Sequence, residues 1–164
     1  MGNMEQTLFY ILASVTVIAT ILAITEKHAV HAIVYLVTSF FALAVIFYIL
    51  AAPLVAMFEI IIYAGAVMVL FLFVIMMLDL GHPDKAGKLG LRQWLPAIFL
   101  CTIILVSLAT LLSGSSPHHS PAPVVGIREF SITMFRKYGI AIEIISMQLL
   151  FAVVGALYLG RRKQ

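Results

Sequence analysis

Charge is what this sequence has least of. Asp, Glu, Lys and Arg make up 10% of its 164 residues, where an average soluble domain carries roughly 25%. That is too little to cover the surface of a soluble fold. Cysteine is nearly absent. A lone Cys101 excludes an internal disulfide, a Cys-x-x-Cys metal site and an iron–sulfur cluster held by this chain alone, each of which needs several thiolates. It is expected to be a small buried packing residue. A basic face is missing too. The ten Lys and Arg all fall in connecting segments or at the C-terminal end, so no nucleic-acid partner is expected. The sequence holds no phosphate loop, dinucleotide fingerprint, nucleophile motif or intramembrane haem-ligand pair. It also shows no internal repeat of the kind that builds secondary transporters.

What is there is apolar, and it comes in blocks. Hydrophobic residues make up 63% of the chain. The runs are long enough to cross a hydrocarbon core of about 30 Å. In lipid such runs must satisfy their own backbone hydrogen bonds, which makes them helices. The expected fold is all-α and integral to the membrane, a single membrane domain over 1–164 with five transmembrane helices. These fall at about 7–24, 29–52, 54–78, 94–112 and 139–159. Glu26-Lys27-His28 makes the first turn, Pro53 suits a helix start, and Gly81 and Pro83 suit a helix stop. Pro96 lies near the first turn of helix four. The N-terminal residues before Thr7 hold no Lys or Arg, so helix one reads as retained and not as a secretory signal. The loop 113–138 divides in two. Ser113 to Pro123 has almost nothing to bury and reads as irregular. Ile127 to Tyr138 mixes Phe130, Met134 and Phe135 with Arg128, Arg136 and Lys137, the composition of a short amphipathic segment at the interface.

Cations set the orientation. Lys27, Lys85, Lys88, Arg92, Arg161, Arg162 and Lys163 share one side, against Arg128, Arg136 and Lys137 on the other. This asymmetry puts the C-terminus in the cytoplasm, and the N-terminus and the 113–138 loop outside.

Of the acids, only Glu59 and Glu143 fall inside the expected transmembrane helices. A charged side chain at the centre of a spanning helix costs about 2.5–3.5 kcal/mol on insertion scales and often marks an ion path. Both acids lie only ~7 Å past their helix starts, where the macrodipole also tolerates them. A structural and a functional role therefore both stand. Tyr63 follows Glu59 by four residues and shares its helix face. Gly65, near the middle of helix three, fits close helix packing or an irregular backbone. Ala152, Gly155 and Ala156 read as a helix-contact face. His28 and His31 share a face but are too few for a zinc site, and the His118-His119 pair reads as solvated.

The run Phe58-Glu59-Ile60-Ile61-Ile62-Tyr63-Ala64-Gly65-Ala66-Val67-Met68-Val69-Leu70-Phe71-Leu72-Phe73-Val74-Ile75-Met76-Met77-Leu78 strongly resembles the third helix of the J-subunit family of bacterial respiratory complex I. The shared pattern is Tyr-x-Gly-Ala, then Val-Leu-Phe-x-Phe, then Met-Met. Val30 to Leu36 resembles the start of that family's second helix, and Glu143 to Leu150 its fifth. The resemblance implies a membrane-arm subunit of proton-translocating NADH:quinone oxidoreductase in the bacterial inner membrane, part of an enzyme but without a catalytic centre of its own. It implies no cofactor in this chain, with FMN, iron–sulfur clusters and quinone in partner subunits. The implied partners are the quinone-site subunit, the small K-type and A-type subunits and the antiporter-like subunits. It implies a π-bulge and gate at Tyr63, Ala64, Gly65, Ala66 and Val67, with Glu59, Tyr63 and Glu143 along a proton path. Two other readings remain open: a purely structural subunit, or the equivalent subunit of a pump fed by ferredoxin, F420 or hydrogen.

Overall fold

The structure is a computed structural model that describes residues 3–78, 91–113 and 126–161. The helix stop at Gly81 and Pro83, the cations Lys85 and Lys88, the stretch through His118-His119, and Arg162 and Lys163 lie outside these residues. Every described element is helical. Five of the helices are long and apolar enough to cross a membrane. The chain divides into two compact units, Met1–Ala122 and Pro123–Gln164.

In the first unit, α1 is Asn3–Thr25 and α2 is Ala29–Ile49. Helix α3 spans Pro53–Met77, and α4 is Leu91–Ser113. Packing runs through α2, which touches α1, α3 and α4. Leu12, Val15 and Ala19 of α1 meet Tyr35, Ala42, Val45 and Ile46 of α2 and Ala97, Leu100 and Ile104 of α4. The three- and four-residue spacings of the α1 and α4 sets put each on one helical stripe. Lipid supplies no hydrophobic drive between helices, so close packing and hydrogen bonds must hold them. A hydroxyl pair does so here: Thr20 Oγ1 and Ser39 Oγ lie 3.0 Å apart across α1 and α2. Thr20 also donates to the Thr16 carbonyl at 2.8 Å.

Helix α2 ends at Ile49, before the expected 52, because the chain turns there. The Ala52 N–H donates to the Phe47 carbonyl at 3.0 Å and the Ala51 N–H to Tyr48 at 3.2 Å, the paired bonds of a Schellman cap. Ala51 takes the left-handed conformation (φ 57°) that such a cap needs and that usually falls to glycine. Pro53 then opens α3 at its first position, where its missing N–H costs nothing.

The expectation for Cys101 is corrected: its side chain is exposed. It lines an apolar cleft of about 510 Å³ among α2, α3 and α4. In a membrane protein the outer surface is itself apolar, so an apolar neighbourhood in sequence does not mean an interior position.

In the second unit, α5 is Ile127–Lys137 and α6 is Gly139–Gly160. The amphipathic reading of 127–138 thus falls on a helix. Its N-cap Gly126 is extended, and Arg136 and Lys137 occupy its last turn, where cations suit the macrodipole. Among the described residues none of α6 is buried. Around Gly155 an added Cβ would meet no described atom within 4 Å.

Candidate functional site

The middle of α3 is not an α-helix. Pro53–Phe58 is α-helical, Glu59–Val67 is a nine-residue π-helix, and Met68–Met77 is α-helical again. The backbone shows both joints. At the first, the Glu59 N–H donates to Val55 and Ala56, four and three residues back. At the second, the Met68 N–H donates to Tyr63, five residues back, and to Gly65. The α partner, the Ala64 carbonyl, is not among its acceptors.

Local sequence supports this winding. Ile60, Ile61 and Ile62 are consecutive β-branched residues, whose χ1 freedom is cut by the preceding turn of an α-helix. Gly65 supplies the other half. A Cβ built there would stand 3.2 Å from the Ile60 carbonyl oxygen, five residues back and drawn close by the π turn. Glycine lets that carbonyl approach, and any larger residue would push it away.

Glu59 is the first π residue and is half-buried. Tyr63 is half-exposed, and its ring lies 5.6 Å from the Phe40 ring of α2, tilted by 44°. No hydrogen bond joins Glu59 and Tyr63. Ala64 is buried at 8% exposure, and α2 is the neighbouring helix that packs on this segment. Gly65 is half-buried, while Ala66 and Val67 are exposed. The structure thus gathers Glu59, Tyr63, Ala64, Gly65, Ala66 and Val67 into one irregular segment. Glu143 belongs to the second unit, where it lines a groove with Arg136 and Lys137. Among the described residues no group of three His, Cys, Asp or Glu side chains could hold a metal ion. The His28 and His31 rings are 5.8 Å apart, and His31 meets Trp94 edge-on at 5.2 Å.

Three features escaped the sequence reading. The π segment begins at Glu59, four residues before the expected Tyr63, and the isoleucine run was the available signal. The contact of Phe40 with Tyr63 had no signal, since Phe40 is one apolar residue in a continuous apolar run. Ala64 as the buried contact with α2 needed the register of an irregular helix.

Comparison with known proteins bears on the whole chain. Residues 19–159 match the family described as NADH-ubiquinone/plastoquinone oxidoreductase chain 6. The chain is 39% identical to the NADH-quinone oxidoreductase subunit J of Pseudomonas aeruginosa, over 94% of this chain and 95% of that protein. It is 37% identical to the subunit J of Escherichia coli K12, over 95% of this chain and 86% of that protein. With the subunit J of Buchnera aphidicola subsp. Schizaphis graminum it shares 33% identity, over 95% and 98%. The family match runs from the last turns of α1 to the end of α6 and takes in the π segment, and the chain belongs to the NADH-ubiquinone/plastoquinone oxidoreductase chain 6 family.

Proposed function

We propose that this chain is the J-type membrane-arm subunit of a proton-translocating NADH:quinone oxidoreductase, and that α3 couples quinone reduction to a proton path. The nine-residue π-helix at Glu59–Val67 is the observation that carries this reading. It serves as a multi-pass subunit of the bacterial inner membrane, one membrane domain with its N-terminus outside and its C-terminus in the cytoplasm. FMN, iron–sulfur clusters and quinone sit in partner subunits, among them the quinone-site, K-type, A-type and antiporter-like subunits.

A π turn carries one residue more than an α turn. Rewinding it to α turns the helix beyond it by about 100°, the rotation of one residue at 3.6 per turn. Val67, Leu70 and Phe71, all exposed on α3, move with that rotation. An apolar constriction of this kind gates by admitting or expelling water. Glu59 and Tyr63 supply polar groups on the outer side of the gate, and Glu143 is the second acid assigned to the path. No covalent chemistry is asked of the chain; its part is a two-state helix whose equilibrium quinone chemistry biases elsewhere.

Gly65→Val tests this. A β-branched side chain against the Ile60 carbonyl costs about 1–3 kcal/mol by overpacking, which disfavours the π form. The assembled variant complex is expected to keep NADH oxidation with an artificial acceptor while losing protons pumped per electron. A normal proton-to-electron ratio in an intact variant complex would sink the gate. Failure to assemble, repeated in Gly65→Ala, would favour a structural subunit.

A further inference from the structure

Helix α5 of the second unit is basic. That helix carries Arg128, Arg136 and Lys137 against one acid, Glu129. Among the described residues neither Arg136 nor Lys137 is paired with a carboxylate. The Lys137 Nζ lies 5.6 Å from the centre of the Tyr138 ring instead.

The chain itself fixes the depth of these cations. Lys137 ends α5, and Gly139 begins a 22-residue apolar helix long enough to span. One residue, Tyr138, separates them. A helix that begins a crossing begins at the hydrocarbon boundary, so Arg136 and Lys137 stand at headgroup level, where tyrosine is also favoured. At 11 residues, α5 is too short to cross. It exposes Ile127 and Phe135 at 69% and 71% beside its cations, as an interfacial helix does.

Between the end of α5 and the first turns of α6 lies an open groove of about 600 Å³. Its walls combine Arg136 and Lys137 with Phe135, Ile140 and Ile142. We infer that this groove binds an anionic phospholipid from the bilayer, with the phosphate on Arg136 and Lys137 and an acyl chain against Phe135, Ile140 and Ile142. Charge complementarity selects the headgroup: a cationic pair held at headgroup level attracts an anionic lipid head over a zwitterionic one. The apolar walls select the tail, which a free phosphate would leave uncovered. Glu143 lies four residues beyond Gly139, about 6 Å deeper, and also lines the groove. Its carboxyl repels an anion that slides inward, so the head is held at the cations.

Photoactivatable phosphatidylglycerol and phosphatidylcholine carrying the same reactive acyl chain test this in membranes that hold the chain in its native assembly. Cross-linked peptides are mapped by mass spectrometry. Phosphatidylglycerol is expected to label 135–146 several-fold more than phosphatidylcholine. Arg136→Gln with Lys137→Gln should abolish that preference while labelling of α1 to α4 stays the same, and Glu143→Gln should raise it. Equal labelling by the two lipids overturns the inference, as does a preference that survives the double change. Labelling of neighbouring subunits with no lipid adduct on 135–146 overturns it too, because a protein then covers the groove. If the double variant does not assemble, the unmodified chain decides. Its preference must fall as ionic strength rises, and a salt-independent preference overturns the inference.

Discussion

Helices α2 and α3 are both apolar spans of the first unit, yet they are held very differently. In α2, 44% of the residues in the apolar window are buried; in α3 the figure is 11%, although α3 is the more apolar of the two, with a mean hydropathy of 2.9 against 2.4. Apolarity therefore does not decide burial in this chain. Helix α2 buries Thr38, Ser39, Ala42 and Ala44 alongside Ile33, Tyr35, Val45 and Ile46, and Ser39 bonds across to Thr20. Among the described residues helix α3 buries only Ala56, Ala64 and Met68. A helix pinned by small residues and hydroxyls keeps one geometry. A helix held at a few points, with a glycine against its own carbonyl, can hold a π segment and exchange it for another winding.

The comparison breaks most sharply if α3 is tightened against α2. Ala64→Leu inserts bulk at a buried π residue and should cost about 1–3 kcal/mol. Thermal unfolding of the assembled complex in detergent would show it as a lower midpoint. An unchanged midpoint would mean that Ala64 is not a packed contact. The two helices should also differ without any mutation. Amide exchange over 59–68 should run about tenfold faster than over 33–46, the ratio that ~1.4 kcal/mol of extra opening free energy produces. Equal protection would make the π segment as rigid as α2. On the other side of the comparison, Thr20→Val removes the interhelical hydroxyl bond. It should cost about 0.6 kcal/mol, the average for such bonds in membranes, and at most about 1.7. A double-mutant cycle with Ser39→Ala should recover most of that as coupling. Proton-to-electron stoichiometry should not move with Thr20→Val; if it does, α1 and α2 take part in the switch.

Much of this was legible beforehand because the bilayer leaves few choices. Blocks such as 29–52 and 139–159 must be helices of about that length, and Pro53 and Gly139 mark real starts. The π segment was legible only through a family likeness; Gly65 by itself fitted packing as well as irregularity. Burial was the least legible property. In a soluble fold an apolar residue points inward, but here Cys101 and Phe71 are exposed while Thr38 and Ser39 are buried. Hydropathy cannot rank faces when solvent and core are both apolar. Contacts such as Phe40 on Tyr63 depend on helix register, which a π turn shifts in a way that α periodicity cannot follow.

The two helices meet at Ala51, and this joint offers the smallest and cleanest test. Ala51 is a non-glycine residue with positive φ among the described residues, and both Schellman bonds close around it. A Cβ in the left-handed region costs an L-residue about 1–2 kcal/mol. Glycine removes that strain but adds freedom to the unfolded chain, which offsets part of the gain. Ala51→Gly should therefore stabilise the α2–α3 hairpin by roughly 0.5–1 kcal/mol. The change leaves the packing of α2 and the winding of α3 untouched. Unfolding measurements should show a small rise in stability, with an unchanged exchange ratio between 33–46 and 59–68. A destabilised variant would mean that the Ala51 methyl makes a contact worth more than its backbone strain. A changed exchange ratio would mean that the joint itself helps to set how α3 is wound.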